Sequence, residues 1–337
     1  MEYELKAGAL FSGIGGLCLG FQQQGIKTVW AVENDPAAVA TYKKNIAEPN
    51  VIEVNGLPAS VNDVSVQGNL LEPVDILHAG FPCQSFSIAG ERRGFDDPRG
   101  QLFYEIIRII KEFGEKKPSV LILENSPNIR IGDAGRWFIE LTKEIKKAGY
   151  WFRDLNCIEL DAYNYTDLPQ KRNRLFMVAF SISAFNSGKF SLPDPPIAKP
   201  KDLTKYIDFD GSLEDGSYYL HEENRYHKMI SEKVNNPRSI YQLRKFLVRI
   251  KEPGVCPTLT ANMGLGGHNV PFIVDRKGLR KLTEQECLSL QGFHKEFSFP
   301  NDVPRAKRYM QVGNSVVPPI AAILAEAVKI KILKDRK

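Results

Sequence analysis

The stretch from residue 75 to residue 103 limits the possible folds of this chain more than any other. It begins with a short apolar segment, residues 75–79, whose pattern predicts a buried strand. Gly80 and Pro82 end that strand, and Cys83 follows directly. Because open α/β sheets bind ligands beyond the carboxyl ends of their strands, the sequence predicts a thiol at such a position. A glycine-punctuated loop and an apolar helix come next, an order that suits a nucleophile beneath a mobile loop.

The composition is that of a globular protein without a disulfide framework. The 337 residues suffice for one large and one small domain, and an apolar share of 43% is ordinary for such a protein. The net charge of +5 is compatible with a polyanionic partner without proving one. Five cysteines without a C-x-x-C pair argue against a disulfide scaffold and against a zinc site. The sequence suggests neither a signal peptide nor a membrane span, so we expect a cytoplasmic protein.

The N-terminal segment has the pattern of a nucleotide-type cofactor site. An apolar run at 7–11 leads into the glycine-rich turn 12–16, and a second apolar run ends at Glu33. A dinucleotide fingerprint starting at Gly13 would need Gly or Ala at position 18, which is Cys18, so an NAD-dependent dehydrogenase is disfavoured. A cofactor with a ribose but no pyrophosphate fits better, and S-adenosylmethionine is one, with Glu33 placed to accept hydrogen bonds from the ribose hydroxyls. The alternative is an ordinary tight turn.

Several sequence blocks together resemble one enzyme family. A lone Pro-Cys is more often a turn with an inert core thiol. Here Gly-Phe-Pro-Cys-Gln-Ser-Phe-Ser (80–87) and Asp-Pro-Arg-Gly-Gln-Leu-Phe (97–103) resemble the catalytic loop of the DNA (cytosine-5) methyltransferases. Further blocks occur in the family's order at the glycine-rich turn, at Glu124-Asn125, at Gln-Lys-Arg-Asn-Arg (170–174) and at Gln-Val-Gly-Asn-Ser-Val-Val-Pro (311–318).

The resemblance implies an α/β fold: a doubly wound, mostly parallel Rossmann-like methyltransferase sheet with a second, smaller DNA-recognition domain. We expect a catalytic domain at 1–184, completed by 302–337, and a target-recognition domain at 185–301. The implied reaction moves a methyl group from S-adenosylmethionine to C5 of a cytosine in a specific double-stranded DNA sequence. A tRNA cytosine-5 methyltransferase on the same scaffold is the alternative, and a DNA-binding module without catalysis is a weaker one.

The resemblance also implies the catalytic residues. Cys83 is the thiolate that adds to C6 of a flipped cytosine, and Glu124 holds N3 and the exocyclic amine. Arg172 and Arg174 enter the active site, where one anchors the glutamate and the other contacts the base and nearby backbone. Of the two, Arg174 is the stronger candidate for an active-site residue. No metal is implied.

For the cofactor, the resemblance places Phe11 against the adenine and the glycine-rich turn beside the methionine part. The acid that contacts the adenine amino group is either Asp63 or a residue of the Gly68-Asn69-Leu70 block, and spacing favours Asp63. The complete set of predicted cofactor residues is Phe11, Gly13, Ile14, Gly16, Glu33, Asn34, Asp63, Val64, Pro82, Asn314 and Ser315.

The region after a proline-rich linker at 192–200 has a different texture. Residues 225–251 contain eight Lys or Arg and one acid, interleaved with Tyr226, Tyr241 and Phe246. This pattern favours a groove for double-stranded DNA, although an ordinary charged surface is the alternative. We expect a monomer, and the compact length suggests a bacterial modification enzyme paired with a restriction endonuclease.

Overall fold

The computed structural model describes residues 4–48, 50–68, 71–82, 98–196, 200–266 and 268–337, except for the side chains of 98–100 and 268. The chain forms two compact units. The first comprises Met1–Leu160, Asn173–Asp194 and Ile320–Lys337, and the second comprises Asp161–Arg172 and Pro195–Pro319. These bounds differ from the predicted domain limits, and the catalytic and DNA-recognition roles of the two parts stay predictions.

The described residues form thirteen strands and nine α-helices. In chain order the strands are β1 (Lys6–Leu10), β2 (Lys27–Val32), β3 (Glu53–Val54), β4 (Leu57–Pro58), β5 (Ile76–Gly80), β6 (Val120–Asn125), β7 (Tyr150–Trp151), β8 (Cys157–Asp161), β9 (Asn173–Ser181), β10 (Tyr241–Arg244), β11 (Leu247–Ile250), β12 (His268–Asp275) and β13 (Gly278–Lys281). The helices are α1 (Gly16–Gln23), α2 (Pro36–Asn45), α3 (Pro98–Glu112), α4 (Arg136–Lys147), α5 (Ala162–Tyr165), α6 (Arg225–Ser231), α7 (Glu284–Leu290), α8 (Arg305–Asn314) and α9 (Pro318–Asp335).

The first unit is built on a seven-stranded sheet. Its strands follow the order β2-β1-β5-β6-β9-β7, with β8 also paired to β9. The pairs β1–β2, β1–β5 and β5–β6 are parallel, whereas β9 runs antiparallel to both β6 and β7. The central strands are continuous apolar runs because helices cover both faces of such a sheet, and all six residues of β6 are buried. The predicted α/β fold with a mostly parallel sheet is confirmed.

The strand directions bring several sequence blocks to one edge of this sheet. The carboxyl ends of the parallel strands β1, β2, β5 and β6 lie at that edge, followed by the glycine-rich turn, Glu33 and Phe81. Since β9 is antiparallel, its amino end lies there too, with Phe176 in register with Glu124. Open sheets of this kind bind ligands at this edge.

The second unit contains a four-stranded antiparallel sheet in the order β11-β10-β12-β13. Ile230 of α6 packs with Tyr241, Leu243 and Phe272 in a small apolar core on this sheet. Nearby, the guanidinium of Arg280 is fully buried and pairs with Asp275 at 2.7 Å and with Glu286 at 2.8 Å. Glu286 and Thr283 also form a capping box at the start of α7.

Candidate active site

The glycine-rich turn after β1 is tied to Glu33 by backbone hydrogen bonds. The N–H of Gly13 donates to Oε2 of Glu33 at 2.9 Å, and the N–H of Asp35 donates to Oε1 at 2.9 Å. Gly13 and Gly15 have positive φ angles of 55° and 89°, which glycine adopts without strain. A β-carbon at Gly13 would meet nothing within 4 Å, so this side of the turn is open to a ligand.

The Glu33 carboxylate keeps unused acceptor capacity. Each oxygen accepts one of these backbone hydrogen bonds, and a carboxylate offers about four lone-pair sites. Burial raises the pKa of the Glu33 carboxyl, while the backbone N–H groups of Asp35, Gly13 and Asn34 act in the opposite direction. The half-buried carboxylate therefore suits donors such as ribose hydroxyls. Asn34 beside it is exposed.

The other predicted residues of the first unit have different surroundings. Ile14 is buried, and Phe11 is partly buried against the core of the sheet. The Asp63 carboxylate accepts the N–H of Ser60 at 3.1 Å and so caps a 3-10 turn, and Val64 lies in the core. Asn69, the alternative adenine contact, lies outside the described residues.

Arg108 of α3 holds the segment around Asp63, a contact that the sequence analysis missed. Its guanidinium donates to the carbonyl oxygens of Val61 at 3.0 Å and Val64 at 3.1 Å. Glu112, four residues later on α3, accepts the N–H of Val66 at 2.9 Å. No motif marks Arg108, because an arginine on an amphipathic helix looks like an ordinary solvated residue.

Glu124 and Arg174 form an ion pair at the carboxyl end of β6. Nε of Arg174 lies 3.1 Å from Oε1 of Glu124. Glu124 is only 8% exposed, and a β-carbon at Gly80 would lie 3.3 Å from its Oε2. The buried amide of Asn125 donates to the carbonyl of Phe81 at 3.1 Å, which ties the end of β6 to the segment before Pro82. The structure thus brings the predicted carboxylate and one predicted arginine together.

The predicted nucleophile Cys83 lies outside the described residues, as does the loop segment 83–97. The four described cysteines are unsuited to nucleophilic chemistry because the thiolate is the reactive form. Burial raises the pKa of Cys18, Cys256 and Cys287, and raises that of Cys157 to about 12. Cys287 is buried on α7.

Arg172, two residues from Arg174, lies in the second unit and is 2% exposed. Its guanidinium donates to the carbonyl oxygens of Leu259, Gly313 and Ser315. Asn314 is exposed and Ser315 is buried. Arg172, a predicted catalytic residue, is therefore hydrogen-bonded to the backbone on both sides of Asn314, a predicted cofactor residue.

The aromatic residues of the basic region 225–251 divide into two kinds. Tyr241 is fully buried, and its hydroxyl accepts the N–H groups of Asn235 and Asn236. Tyr226 packs against the same small core, with Arg225 over its ring. Phe246 is 80% exposed at the turn between β10 and β11. Of these three side chains, Phe246 alone is presented as a nucleic-acid contact requires.

The described residues contain neither a helix long and apolar enough to cross a bilayer nor a group of three or more potential metal ligands.

The chain is similar throughout its length to known methyltransferases. The family model described as C-5 cytosine-specific DNA methylase matches residues 5–330. The Type II methyltransferase M.Bsp6I of Bacillus sp. (strain RFL6) is 37% identical over 325 residues, covering 96% of this chain and 98% of the relative. M.HaeII of Haemophilus aegyptius, also a Type II methyltransferase, is 32% identical over 339 residues, covering 99% and 96%.

A solved structure agrees at the level of the fold. A putative DNA modification methyltransferase encoded within an Escherichia coli prophage superposes with a TM-score of 0.68 at 22% identity, covering 98% of this chain and 100% of that one. Together with the family match and the sheet-edge carboxylate, these findings show that the chain belongs to the C-5 cytosine-specific DNA methylase family.

Proposed function

We propose that this enzyme transfers a methyl group from S-adenosylmethionine to C5 of a cytosine in a specific double-stranded DNA sequence, through a covalent adduct between Cys83 and C6. The observation that carries the proposal is the Glu124–Arg174 pair, which lies beside Gly80 at the end of the strand that leads to Cys83. In the family pattern a carboxyl and a cysteine at these positions act on one cytosine ring.

The proposed reaction proceeds through a covalent adduct between the enzyme and the cytosine ring. The Cys83 thiolate adds to C6, and the electron pair of the 5,6 double bond makes C5 nucleophilic. Glu124 contacts N3 and the exocyclic amine and stabilises the protonated ring, while Arg174 orients the Glu124 carboxylate. After methylation at C5, a water molecule takes the C5 proton, and elimination of the Cys83 thiolate restores the 5,6 double bond and yields 5-methylcytosine. The ring is attacked from its face, so the base must leave the duplex stack.

S-adenosylmethionine supplies the electrophilic methyl group, and its product is S-adenosylhomocysteine. The open side of the turn at Gly13 and the half-buried Glu33 carboxylate fit its adenosyl part, which has a ribose and no pyrophosphate. We assign the ribose to Glu33 and Asn34, the adenine to Phe11, Asp63 and Val64, and the methionine part to the turn at Gly13, Ile14 and Gly16. Pro82, Asn314 and Ser315 complete the set by resemblance to the family.

The biological role that we propose is modification of DNA within a restriction-modification system. M.Bsp6I and M.HaeII, which match nearly the whole chain, are both named Type II methyltransferases, and relatives of this kind favour DNA over tRNA as the substrate. We further propose that the protein is a cytoplasmic monomer paired with a restriction endonuclease, and that residues 185–301 select the target sequence.

A covalent trap tests the proposed function. DNA with 5-fluorocytosine at the target should form a denaturant-stable complex with the enzyme, because fluorine at C5 prevents the final elimination. Cys83→Ala should abolish the complex, and Cys157→Ala, the matched control at a described cysteine, should preserve it. An adduct that persists in Cys83→Ala would show that Cys83 is not the nucleophile. A tRNA transcript that replaces DNA as the better methyl acceptor would refute the proposed substrate.

A further inference from the structure

The buried guanidinium of Arg172 is surrounded by main-chain oxygens of the second unit. Nη1 donates to the carbonyl of Leu259 at 2.7 Å, and Nη2 donates to the carbonyls of Gly313 at 2.9 Å and Ser315 at 2.7 Å. Since the side chain is only 2% exposed, little of the guanidinium is accessible to a ligand.

Two fully buried glutamines extend this network. The side chain of Gln170 donates to Oε1 of Gln291 at 2.7 Å and to the carbonyl of Leu290 at 3.1 Å, and accepts the N–H of Leu259 at 3.1 Å. Nε2 of Gln291 donates to the carbonyl of Ser315 at 2.7 Å. The Ser315 carbonyl therefore accepts hydrogen bonds from both Arg172 and Gln291.

Close backbone packing accompanies these hydrogen bonds. A β-carbon at Gly313 would lie 2.2 Å from the backbone N of Ala261 and 2.2 Å from the backbone carbon of Thr260. Glycine is thus required where the end of α8 meets this segment, because any side chain would displace backbone. The backbone on both sides of residue 314 is consequently held in place. Gly313 is held by packing and by Arg172, and Ser315 is held by Arg172 and Gln291.

Asn314 itself differs from its neighbours. Its side chain is exposed, whereas Gly313 and Ser315 are buried. The Ser315 hydroxyl donates to the carbonyl of Val316 at 3.1 Å, so it is already engaged within the segment. The network thus holds the backbone rigidly and leaves the Asn314 amide available to a ligand.

We infer that Arg172 and Gln291 are positioning residues for cofactor binding: they fix the backbone on both sides of Asn314 and thereby orient its amide. The inference rests on the proposed function, which assigns Asn314 to the methionine part of S-adenosylmethionine. On this inference, Arg172 positions Asn314 rather than contacting the target base. Gln291, which belongs to no motif of the sequence analysis, positions Asn314 as well.

The test separates cofactor affinity from the chemical step. With S-adenosylmethionine as the probe, Arg172→Lys and Gln291→Met should each raise the calorimetric Kd by about 10-fold, the effect of losing one or two hydrogen bonds to a buried carbonyl. At saturating cofactor and DNA, kcat should stay within about 3-fold of the wild type, since uniform binding is what these variants lose. Lys171→Met, beside Arg172 but 49% exposed, is the matched control and should leave this Kd unchanged.

A double-mutant cycle guards against a merely structural effect. If Arg172 acts through Asn314, Arg172→Lys should raise Kd in the wild-type background but by less than about 2-fold in the Asn314→Ala background. Equal effects in both backgrounds would overturn the inference. So would an unchanged Kd with a large loss of kcat in Arg172→Lys, which would place Arg172 at the base. A wild-type protein that fails to bind S-adenosylmethionine would instead refute the proposed cofactor.

Discussion

Arg172 and Arg174 are separated by one residue in sequence, yet the structure gives them opposite surroundings. Arg174 pairs with the Glu124 carboxylate at a sheet edge, and its side chain is 24% exposed. Arg172 is buried and contacts backbone carbonyls of the second unit. Within the pattern Gln-x-Arg-x-Arg, one arginine therefore pairs with an ionised carboxylate and the other donates to neutral carbonyl oxygens.

The largest expected effect belongs to the carboxylate on the Arg174 side of this comparison. Glu124→Gln should lower kcat by about 100- to 1,000-fold, because the amide cannot stabilise the protonated ring as the carboxylate does. Affinity for S-adenosylmethionine should remain unchanged. Rapid-quench measurement of methyl transfer checks this, with the exposed Glu159→Gln as control. A kcat near that of the wild type would remove Glu124 from the chemical step.

Replacing each arginine by methionine should separate their contributions to stability. Arg172→Met should lower the free energy of unfolding by about 3 kcal/mol, because it leaves the buried carbonyl oxygens of Leu259 and Gly313 without this donor and removes one of the two donors to the Ser315 carbonyl. Arg174→Met should cost less, about 1–2 kcal/mol, because the arginine is partly exposed although the buried Glu124 carboxylate loses its charged partner. Urea denaturation of both variants provides the measurement. Similar losses would mean that the two environments are energetically equivalent.

Glu33→Ala should weaken cofactor binding with little effect on DNA. Losing a charged hydrogen-bonding partner costs about 1.5–3 kcal/mol, or about 10- to 150-fold in Kd. Calorimetry with S-adenosylmethionine and a DNA-binding assay measure the two affinities separately. Unchanged cofactor affinity would exclude the ribose contact, and an equal loss of DNA affinity would indicate general unfolding of the turn.

The smallest effect is expected in the second unit's hairpin. Phe246→Ala should change the free energy of unfolding by less than about 0.5 kcal/mol, as an exposed position permits. We expect the exposed ring of Phe246, at the turn between β10 and β11, to contact DNA. The Kd for target DNA should therefore rise by a few-fold in this variant, about the loss of one apolar contact. Exposed Leu155→Ala in the first unit is the control. Identical DNA affinity in both variants would show that the tip is not a contact.

The sequence predicted the central sheet and the edge at which Glu33, Gly80 and Glu124 lie, because continuous apolar runs that end in a glycine or an acid carry local signals. It could not separate Arg172 from Arg174, since the difference arises from carbonyl groups more than eighty residues away in sequence. The sequence carries no signal for the buried contacts of Gln291 for the same reason. Tyr241 was grouped with a nucleic-acid surface because burial depends on the fold of β10 rather than on neighbouring charges.

The most direct test of the account is exchange of the C5 hydrogen of the target cytosine with deuterium from solvent, without cofactor. Addition of Cys83 to C6 makes C5 nucleophilic, so C5 takes up deuterium and then loses the original proton as the adduct reverses. Wild-type enzyme and Arg172→Lys should catalyse exchange at similar rates, whereas Cys83→Ala should not and Arg174→Lys should be about 10- to 100-fold slower. Normal exchange by Arg174→Lys together with loss in Arg172→Lys would contradict the account.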